Sequence, residues 1–414
     1  MEQKEKVKYS YETLWKFIIR PPRDDYDEDN LGHPVFMFKG KTFLRKDYDL
    51  ISSEGYVMKC SFFEPDEMYR PSQIMPVVLY LHGNSSSRLE GIGMLKELLK
   101  RDINLFVVDF PGCGLSEGEY ISLGYHESHD VKILVDFIEK LPGVGYIGLW
   151  GRSMGAATTM IYSHTDDRIK AIVMDSPFAD FSLLAKELVL KQIKLPNFLV
   201  EGALKIIKMT VKKKNGLDIE KLKPIESAPL TTQPAIFIHA NSDELIDNKH
   251  SDMLIKEYKG KDVILRRCDG KHNTRRPAKL IREVGEFFYK HLVNDYHENF
   301  TKNNTNKENS SKVPNLFDLI NNGQENNNSN TQITEESKEN GSTGSTTNNN
   351  IGVEQHLSKR DEKKEKEVES MMHEISKSLN NSTNNNHNID INNDFDKSKE
   401  HNINKSNGAD EKNK

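Results

Sequence analysis

The pentapeptide GRSMG at residues 151–155 separates two short runs of unlike composition. The run before it, GYIGLW (145–150), is typical of a buried strand, and the run after it, AATTM (156–160), is typical of a closely packed helix. A serine between glycines in a sharp strand-to-helix turn forms a nucleophile elbow, where a larger residue at either glycine would collide with the adjoining elements. The segment predicts an α/β architecture in which Ser153 is a nucleophile.

A second match to the same pattern, GLSEG at residues 114–118, is a rival. It follows DFPGC (109–113), a glycine- and proline-containing stretch that predicts a loop, and no helix follows it directly. Because the elbow needs a strand before the serine and a helix after it, Ser153 is preferred. Ser116 is predicted to be a turn residue.

Short apolar runs alternate with amphipathic stretches along the chain, after a hairpin that begins near residue 41 and includes 56–63. This alternation predicts a mostly parallel, doubly wound sheet with helices on both faces. The expected strands are 77–81, 105–110, 146–150, 171–174, 235–239 and 263–266. The expected helices are 89–100, 127–140, 154–163, 249–258 and 276–292.

The chain of 414 residues divides into regions of different composition. Residues 1–40 form a polar, partly aromatic N-terminal lead-in, and residues 41–293 form the α/β domain. Two amphipathic stretches, 183–193 and 198–211, interrupt the alternation and predict a small helical cap over Ser153, at about 179–230. Residues 294–414 are rich in asparagine and poor in aromatic residues, which predicts a disordered low-complexity tail.

The net charge and the cysteine content of the chain limit the classes of partner and the cellular compartment to be expected. The net charge of −5 gives no reason to expect a nucleic-acid partner. The three cysteines are too few and too scattered for a disulfide framework or a metal-ligand pair, which is typical of a reducing compartment. The polar N-terminus lacks the pattern of a signal peptide, and no run reaches the length of a membrane span. The expected location is cytoplasmic.

A nucleophilic serine needs a histidine as base and an acid to orient that histidine. In this fold the three residues are expected along the chain in the order serine, acid, histidine. His272, in the loop that follows the last strand, is the predicted base. Asp243 follows the strand 235–239 and is the preferred acid; Asp175 is the main alternative, and Glu244 and Asp247 are weaker ones. The other histidines considered are predicted to be solvated or packing residues: His126, His129, His164, His239, His250 and His291.

Two backbone N–H groups are expected to stabilise the oxyanion. One belongs to Met154, the residue after the nucleophile, and the other to Asn84, in the HGN segment (82–84) after the strand 77–81. Gly83 is expected to permit close approach of the backbone. The alternative is that HGN forms an ordinary turn.

Five segments together resemble the α/β-hydrolase superfamily: LYLHGN (79–84), DFPGCGLS (109–116), GLWGRSMG (148–155), DSPF (175–178) and HN (272–273). More narrowly, they resemble its intracellular serine-hydrolase branch, which includes protein depalmitoylases and prolyl-oligopeptidase-like or serine-aminopeptidase-like proteins. The resemblance covers about residues 41–292 and leaves out the tail. It implies hydrolysis of an ester, thioester or amide with no metal and no organic cofactor.

The expected function is therefore hydrolysis of carboxylic esters or thioesters in a small-molecule or acylated substrate, through an acyl-enzyme on Ser153. A serine peptidase or amidase is one alternative, and a catalytically idle binding or scaffold protein is another. Cap lysines beside apolar residues leave two interpretations open, a weak peripheral contact with an anionic membrane or a solvated outer face. These lysines are Lys186, Lys191, Lys194, Lys205, Lys208, Lys212, Lys213 and Lys214.

Overall fold

The computed structural model describes residues 15–16, 18–192 and 197–296. All but the first three residues of the tail predicted at 294–414 lie outside this part of the chain.

One nine-stranded sheet organises these residues, in the spatial order β1-β2-β3-β5-β4-β6-β7-β8-β9. The strands are β1 Val35–Phe38, β2 Lys41–Ile51, β3 Val57–Pro65, β4 Met75–Leu81, β5 Asn104–Val108, β6 Val144–Arg152, β7 Ile169–Asp175, β8 Ala235–Ala240 and β9 Val263–Cys268. The first three strands are antiparallel, β3 pairs antiparallel with β5, and the strands from β4 to β9 run parallel. The predicted mostly parallel α/β sheet is confirmed.

Helices cover both faces of the sheet, so the central strands are buried on both sides. The α-helices are α1 Leu89–Leu99, α2 Tyr125–Ile138, α3 Met154–Ser163, α4 Phe181–Gln192, α5 Asn197–Asn215, α6 Lys249–Glu257 and α7 Ala278–Phe288. All seven residues of β4 are buried; Leu79 belongs to one apolar cluster and its neighbour Tyr80 to the other. This burial of both strand faces explains why the interior strands are continuous apolar runs.

The strand order places a crevice at the carboxyl end of β4. From β4 the chain adds β5 on one side and then crosses to add β6 on the other. Loops that leave neighbouring parallel strands in opposite directions open a crevice at such a switch point, where ligands of open α/β sheets bind. The HGN segment and Ser153 follow the ends of β4 and β6, so both lie at this crevice.

The lead-in predicted for residues 1–40 contributes to the domain. Trp15 and Ile19 are buried in the larger apolar cluster, and the Ile121 N–H donates to the Ile19 carbonyl at 2.8 Å. Strand β1 also precedes the expected boundary at residue 41. It is an edge strand of four apolar residues, VFMF, that pairs with β2 and leaves Val35 and Met37 exposed.

The insertion between β7 and β8 contains α4 and α5, where the sequence predicts two helices. Asn215, at the end of α5, donates from Nδ2 to the Ile121 carbonyl at 2.7 Å, which attaches the insertion to the main domain. Some of its lysines have anionic partners: Lys208 pairs with Glu220 and Lys212 with Asp218, each at 2.9 Å. Among the described helices, none has an apolar stretch long enough to cross a bilayer.

Asp130 in α2 makes stability depend on pH. Its Oδ1 accepts hydrogen bonds from the N–H and the hydroxyl of Ser53, both at 2.7 Å, but burial raises the pKa of the carboxyl to about 6. The folded state therefore keeps a proton that the unfolded chain has released, and its free energy of unfolding falls as pH rises from about 4 to 6. We expect Asp130→Asn to gain about 2 to 3 kcal/mol relative to wild type between pH 4 and pH 7.

Urea denaturation of both proteins across this pH range measures the difference. Asp167→Asn, at an exposed aspartate, is the control and should follow wild type at every pH. Parallel curves for Asp130→Asn and wild type would contradict the prediction.

Candidate active site

Ser153 is the single residue between the end of β6 and the start of α3, and its backbone is strained, with φ of 50° and ψ of −111°. Its N–H donates to the Asp175 carbonyl at 2.8 Å, and its own carbonyl accepts from Ala157 at 3.0 Å. A Cβ at Gly151 would lie 2.0 Å from the Gly155 carbonyl oxygen, and one at Gly155 would lie 2.0 Å from that of Leu81. Both glycines are therefore required by close backbone packing around the turn.

His272 reaches Ser153 from the loop after β9, which turns at Gly270 with φ of 117°. Its Nε2 lies 3.1 Å from Ser153 Oγ, and its Nδ1 lies 2.7 Å from Asp243 Oδ2. The ionised carboxylate can only accept, so Nδ1 carries a proton and donates it to Asp243. In the neutral ring Nε2 then has a free lone pair, which can accept the proton of the Ser153 hydroxyl.

Asp243 follows β8 and its side chain has no solvent exposure. Its Oδ1 accepts from the N–H groups of Leu245 and Ile246 at 3.0 and 2.8 Å, and its Oδ2 faces His272. Burial by itself would raise the pKa of Asp243, but hydrogen bonds from His239, His272 and the Ile246 N–H hold it well below its ordinary value. The carboxylate therefore stays ionised and can stabilise a charged imidazole.

His239 is a second histidine at Asp243, and the sequence did not single it out. It is fully buried; its Nε2 lies 2.9 Å from the Ile246 carbonyl and 3.4 Å from Asp243 Oδ2, and its Nδ1 lies 2.6 Å from Ser251 Oγ. Because a carbonyl only accepts, Nε2 must donate. The prediction of a solvated or packing residue missed this contact. The available signal was a histidine near the end of an apolar strand, where burial requires polar partners.

The other three acidic candidates have different partners. Asp175 accepts from Arg276 Nε at 2.9 Å and from its Nη2 at 2.8 Å. Glu244 lies 3.5 Å from the backbone N–H of His272, and Asp247 accepts from the Lys249 N–H at 3.0 Å. Asp243 is thus the carboxylate that contacts the imidazole.

Ser116, the rival nucleophile, lies in a turn after β5 with its hydroxyl fully engaged. Its Oγ donates to the Asp109 carbonyl at 2.6 Å and accepts from the Lys59 N–H at 2.8 Å. The side chain is buried, and no helix follows it directly. These contacts describe a residue that joins the turn to β3.

The two expected oxyanion donors lie at the ends of β4 and β6. Neither the Asn84 N–H nor the Met154 N–H makes a hydrogen bond to another described residue. The Gly83 N–H is occupied, because it donates to Glu90 Oε2 at 2.8 Å. A Cβ at Gly83 would be 3.7 Å from its nearest neighbours, an ordinary van der Waals contact, so packing within the protein does not itself require glycine there.

Among the residues that the structure describes, no group of three or more His, Cys, Asp or Glu side chains is arranged to hold a metal.

Of the histidines predicted to be solvated or packing residues, His250 also has defined partners. Its Nδ1 accepts from the Ala179 N–H at 3.1 Å and its Nε2 faces Glu187 at 3.1 Å, so it joins α6 to the start of the insertion.

Known proteins share this architecture. A family model described as "alpha/beta hydrolase fold" matches residues 76–200. An esterase of Pyrococcus furiosus, Pf2001, superimposes with a TM-score of 0.51 at 22% identity, over 66% of this chain and 99% of the esterase. The chain has the α/β-hydrolase fold.

Two curated proteins are also similar to this chain. The uncharacterized protein YqkD of Bacillus subtilis strain 168 is 23% identical over 250 residues, 59% of this chain and 78% of YqkD. The lysophosphatidylserine lipase ABHD12 of Danio rerio is 30% identical over 117 residues, 27% of this chain and 30% of the lipase. The finer resemblance to the intracellular serine-hydrolase branch stays a prediction.

The packing of the elbow can be tested with two glycine substitutions. We expect Gly155→Ala to destabilise the fold by about 3 kcal/mol or more, because the new methyl group would overlap the Leu81 carbonyl. Gly93→Ala, at an exposed site in α1 with no atom near the new Cβ, should instead stabilise by about 0.5 to 1 kcal/mol. Thermal and urea unfolding measure both, and equal stability of the two variants would contradict the geometry.

Proposed function

We propose that this protein is a serine hydrolase that cleaves carboxylic esters or thioesters through an acyl-enzyme on Ser153. The observation that carries the proposal is the continuous contact from the Ser153 hydroxyl to His272 and on to Asp243, at 3.1 and 2.7 Å. The three side chains come from loops after three different strands, β6, β9 and β8. Their types, order and tautomer match the requirements of an activated serine.

In the proposed reaction, Ser153 Oγ attacks the substrate carbonyl carbon while His272 Nε2 takes the hydroxyl proton. The carbon–leaving-group bond then breaks, and the same proton passes from Nε2 to the departing alkoxide or thiolate. Water repeats these steps on the acyl-enzyme, releasing the acid and restoring the hydroxyl. Asp243 keeps its charge throughout and stabilises the imidazolium that forms between proton transfers.

The free N–H groups of Asn84 and Met154 are the proposed oxyanion donors. Met154 is the first residue of α3, so its N–H also benefits from the positive end of the helix dipole. Donors of this kind contribute most when they are already oriented before charge develops on the oxygen. The occupied Gly83 N–H supports Asn84 as the donor from the β4 loop.

Esters and thioesters are the preferred substrates, including those of lipid type. The similarity to ABHD12, which is named as a lipase, supports an ester substrate. Oxygen and sulfur leaving groups also need less protonation by His272 than an amine does, so the same residues cleave them more easily.

A fluorophosphonate probe tests the nucleophile, because it labels an activated serine and spares an inert one. We expect labelling of wild type and complete loss in Ser153→Ala. Ser116→Ala is the matched control and should keep its labelling rate within about twofold, since its hydroxyl serves the turn. Gel fluorescence and peptide mapping give the result. Labelling that survives Ser153→Ala would assign the nucleophile elsewhere.

The acid can be tested separately from the nucleophile. We expect Asp243→Asn to reduce kcat on a p-nitrophenyl ester by about 10³- to 10⁴-fold, because the amide can favour the wrong imidazole tautomer. Asp175→Asn should not change the tautomer, although its pairing with Arg276 is lost. If Asp175→Asn were the variant with the greater loss of kcat at equal folded fraction, the acid would be misassigned.

Turnover on matched acyl p-nitrophenyl esters, acyl thioesters and acyl anilides tests the substrate class. We expect kcat/KM to be at least about 10²-fold greater for the ester and thioester than for the anilide of the same acyl chain. The Ser153→Ala protein supplies the background. Faster turnover of the anilide would favour an amidase.

A further inference from the structure

We propose that Arg152 and Glu90 form a positioning pair that fixes the histidine loop and the oxyanion loop in position relative to Ser153. The histidine loop is defined here as residues 270–275 and the oxyanion loop as residues 82–87. The inference rests on the proposed function of Ser153, and it assigns a role to Arg152, the residue directly before it in the GRSMG turn.

Glu90 lies in the first turn of α1 and uses its two carboxylate oxygens for two different parts of the site. Oε2 accepts the Gly83 N–H at 2.8 Å, and Oε1 accepts from Arg152 Nη1 at 2.9 Å. The side chains of Glu90 and Arg152 are only 16% and 15% exposed, so water screens their interaction weakly. Glu90 therefore joins the oxyanion loop to the residue directly before the nucleophile.

The second branch of the Arg152 fork reaches the histidine loop. Its Nη2 donates to the backbone carbonyl of His272 at 2.8 Å. The same carbonyl accepts from Arg276 Nη2 at 3.2 Å, and Arg276 is itself paired with Asp175. The backbone of the predicted base is thus held by two guanidinium groups, each with its own carboxylate partner.

Electrostatics keep Arg152 charged and in place. Burial by itself would lower its pKa, but the nearby carboxylates of Glu90 and Asp175 raise it above the ordinary value. Removing one member of such a buried pair leaves the other charge without compensation. A lysine cannot substitute fully, because its single ammonium lacks the planar fork that reaches Glu90 and His272 in two directions.

The pair has two separable consequences for catalysis. Through His272 it sets the distance between Nε2 and Ser153 Oγ. Through Glu90 it binds the Gly83 N–H and so holds the loop that carries the Asn84 N–H, the proposed oxyanion donor. A misplacement of about 1 Å in either element can cost about 10²-fold in rate, so loss of the pair should reduce kcat more than it raises KM.

The test uses three variants of the full chain, Arg152→Gln, Arg152→Lys and Glu90→Gln, with an activated ester as substrate. We expect kcat to fall by about 10²-fold in Arg152→Gln and by about tenfold in Arg152→Lys, with KM within about threefold. Hydrogen exchange should separate the two arms. Arg152→Lys should increase exchange mainly in the histidine loop, and Glu90→Gln mainly in the oxyanion loop, where Gln has only one accepting oxygen for two donors.

Arg168→Gln is the matched control. Arg168 also contacts several carboxylates, Asp136, Glu139 and Asp166, but it precedes β7 at the opposite end of the sheet from Ser153. Its loss should lower the thermal midpoint without changing kcat or exchange in either loop. If Arg168→Gln reduced kcat as much as Arg152→Gln does, the pair would be a general stability element and the inference would be wrong.

The outcomes also separate this inference from the proposed function. Wild-type protein that is neither labelled by fluorophosphonate nor active on esters would overturn the proposed function and the catalytic role of the pair together. Wild-type protein labelled at Ser153, with Arg152→Gln and Glu90→Gln retaining full kcat, would overturn the positioning pair alone.

Discussion

The candidate site depends on the approach of two pieces of backbone, the end of β4 and the start of α3. A Cβ on Gly155 would lie only 2.0 Å from the Leu81 carbonyl oxygen, and a Cβ on Gly151 would lie 2.0 Å from the Gly155 carbonyl oxygen. Only glycine fits both positions, and Ser153, midway between them, adopts positive φ. This packing puts the Ser153 hydroxyl above the sheet and the Met154 N–H beside the loop that carries Asn84. The positions of the other site residues relative to Ser153 depend on this close packing of β4 against α3.

Around this turn, buried charges connect loops that are far apart in sequence. Arg152 contacts Glu90 and the His272 carbonyl, Arg276 contacts Asp175 and the same carbonyl, and the Ser153 N–H donates to the Asp175 carbonyl. Each charge has a partner, so the cost of burying it is offset locally. The arrangement holds loops from several strands in one geometry, which the proton transfers of the proposed reaction require.

Asp243 shows how environment separates groups of the same kind. Several carboxylates lie near the carboxyl ends of the strands, but Asp243 alone among those considered combines complete burial with contact to the His272 ring. Its two backbone donors and the additional histidine, His239, use the remaining lone pairs. Asp175, whose side chain is also buried, is bound instead by a guanidinium. Neighbours therefore distinguish these two aspartates, while their residue type and strand-end positions do not.

Local patterns were sufficient to predict the fold and the glycine-flanked turn at Ser153. Buried strands and the glycine-flanked serine have short-range signatures, because a strand covered on both faces must be apolar throughout and the elbow cannot accept a Cβ. Strand β1 was missed although its four residues are all apolar, because so short a run does not by itself specify a strand. The lead-in was missed because the burial of Trp15 and Ile19 depends on distant residues. The contact of His239 with Asp243 was not predicted for the same reason, since it depends on neighbours brought close by folding.

The sequence by itself determined the α/β architecture, the elbow and a short set of polar candidates. Tertiary structure decided which candidates meet: Asp243 rather than Asp175 at the imidazole, Ser116 within a turn, and Glu90 between Gly83 and Arg152. The physical reason is the distance along the chain over which each kind of interaction acts. Periodicity and backbone sterics act over a few neighbouring residues, whereas a hydrogen bond between side chains far apart in the chain exists only after the sheet has aligned the strands that carry them.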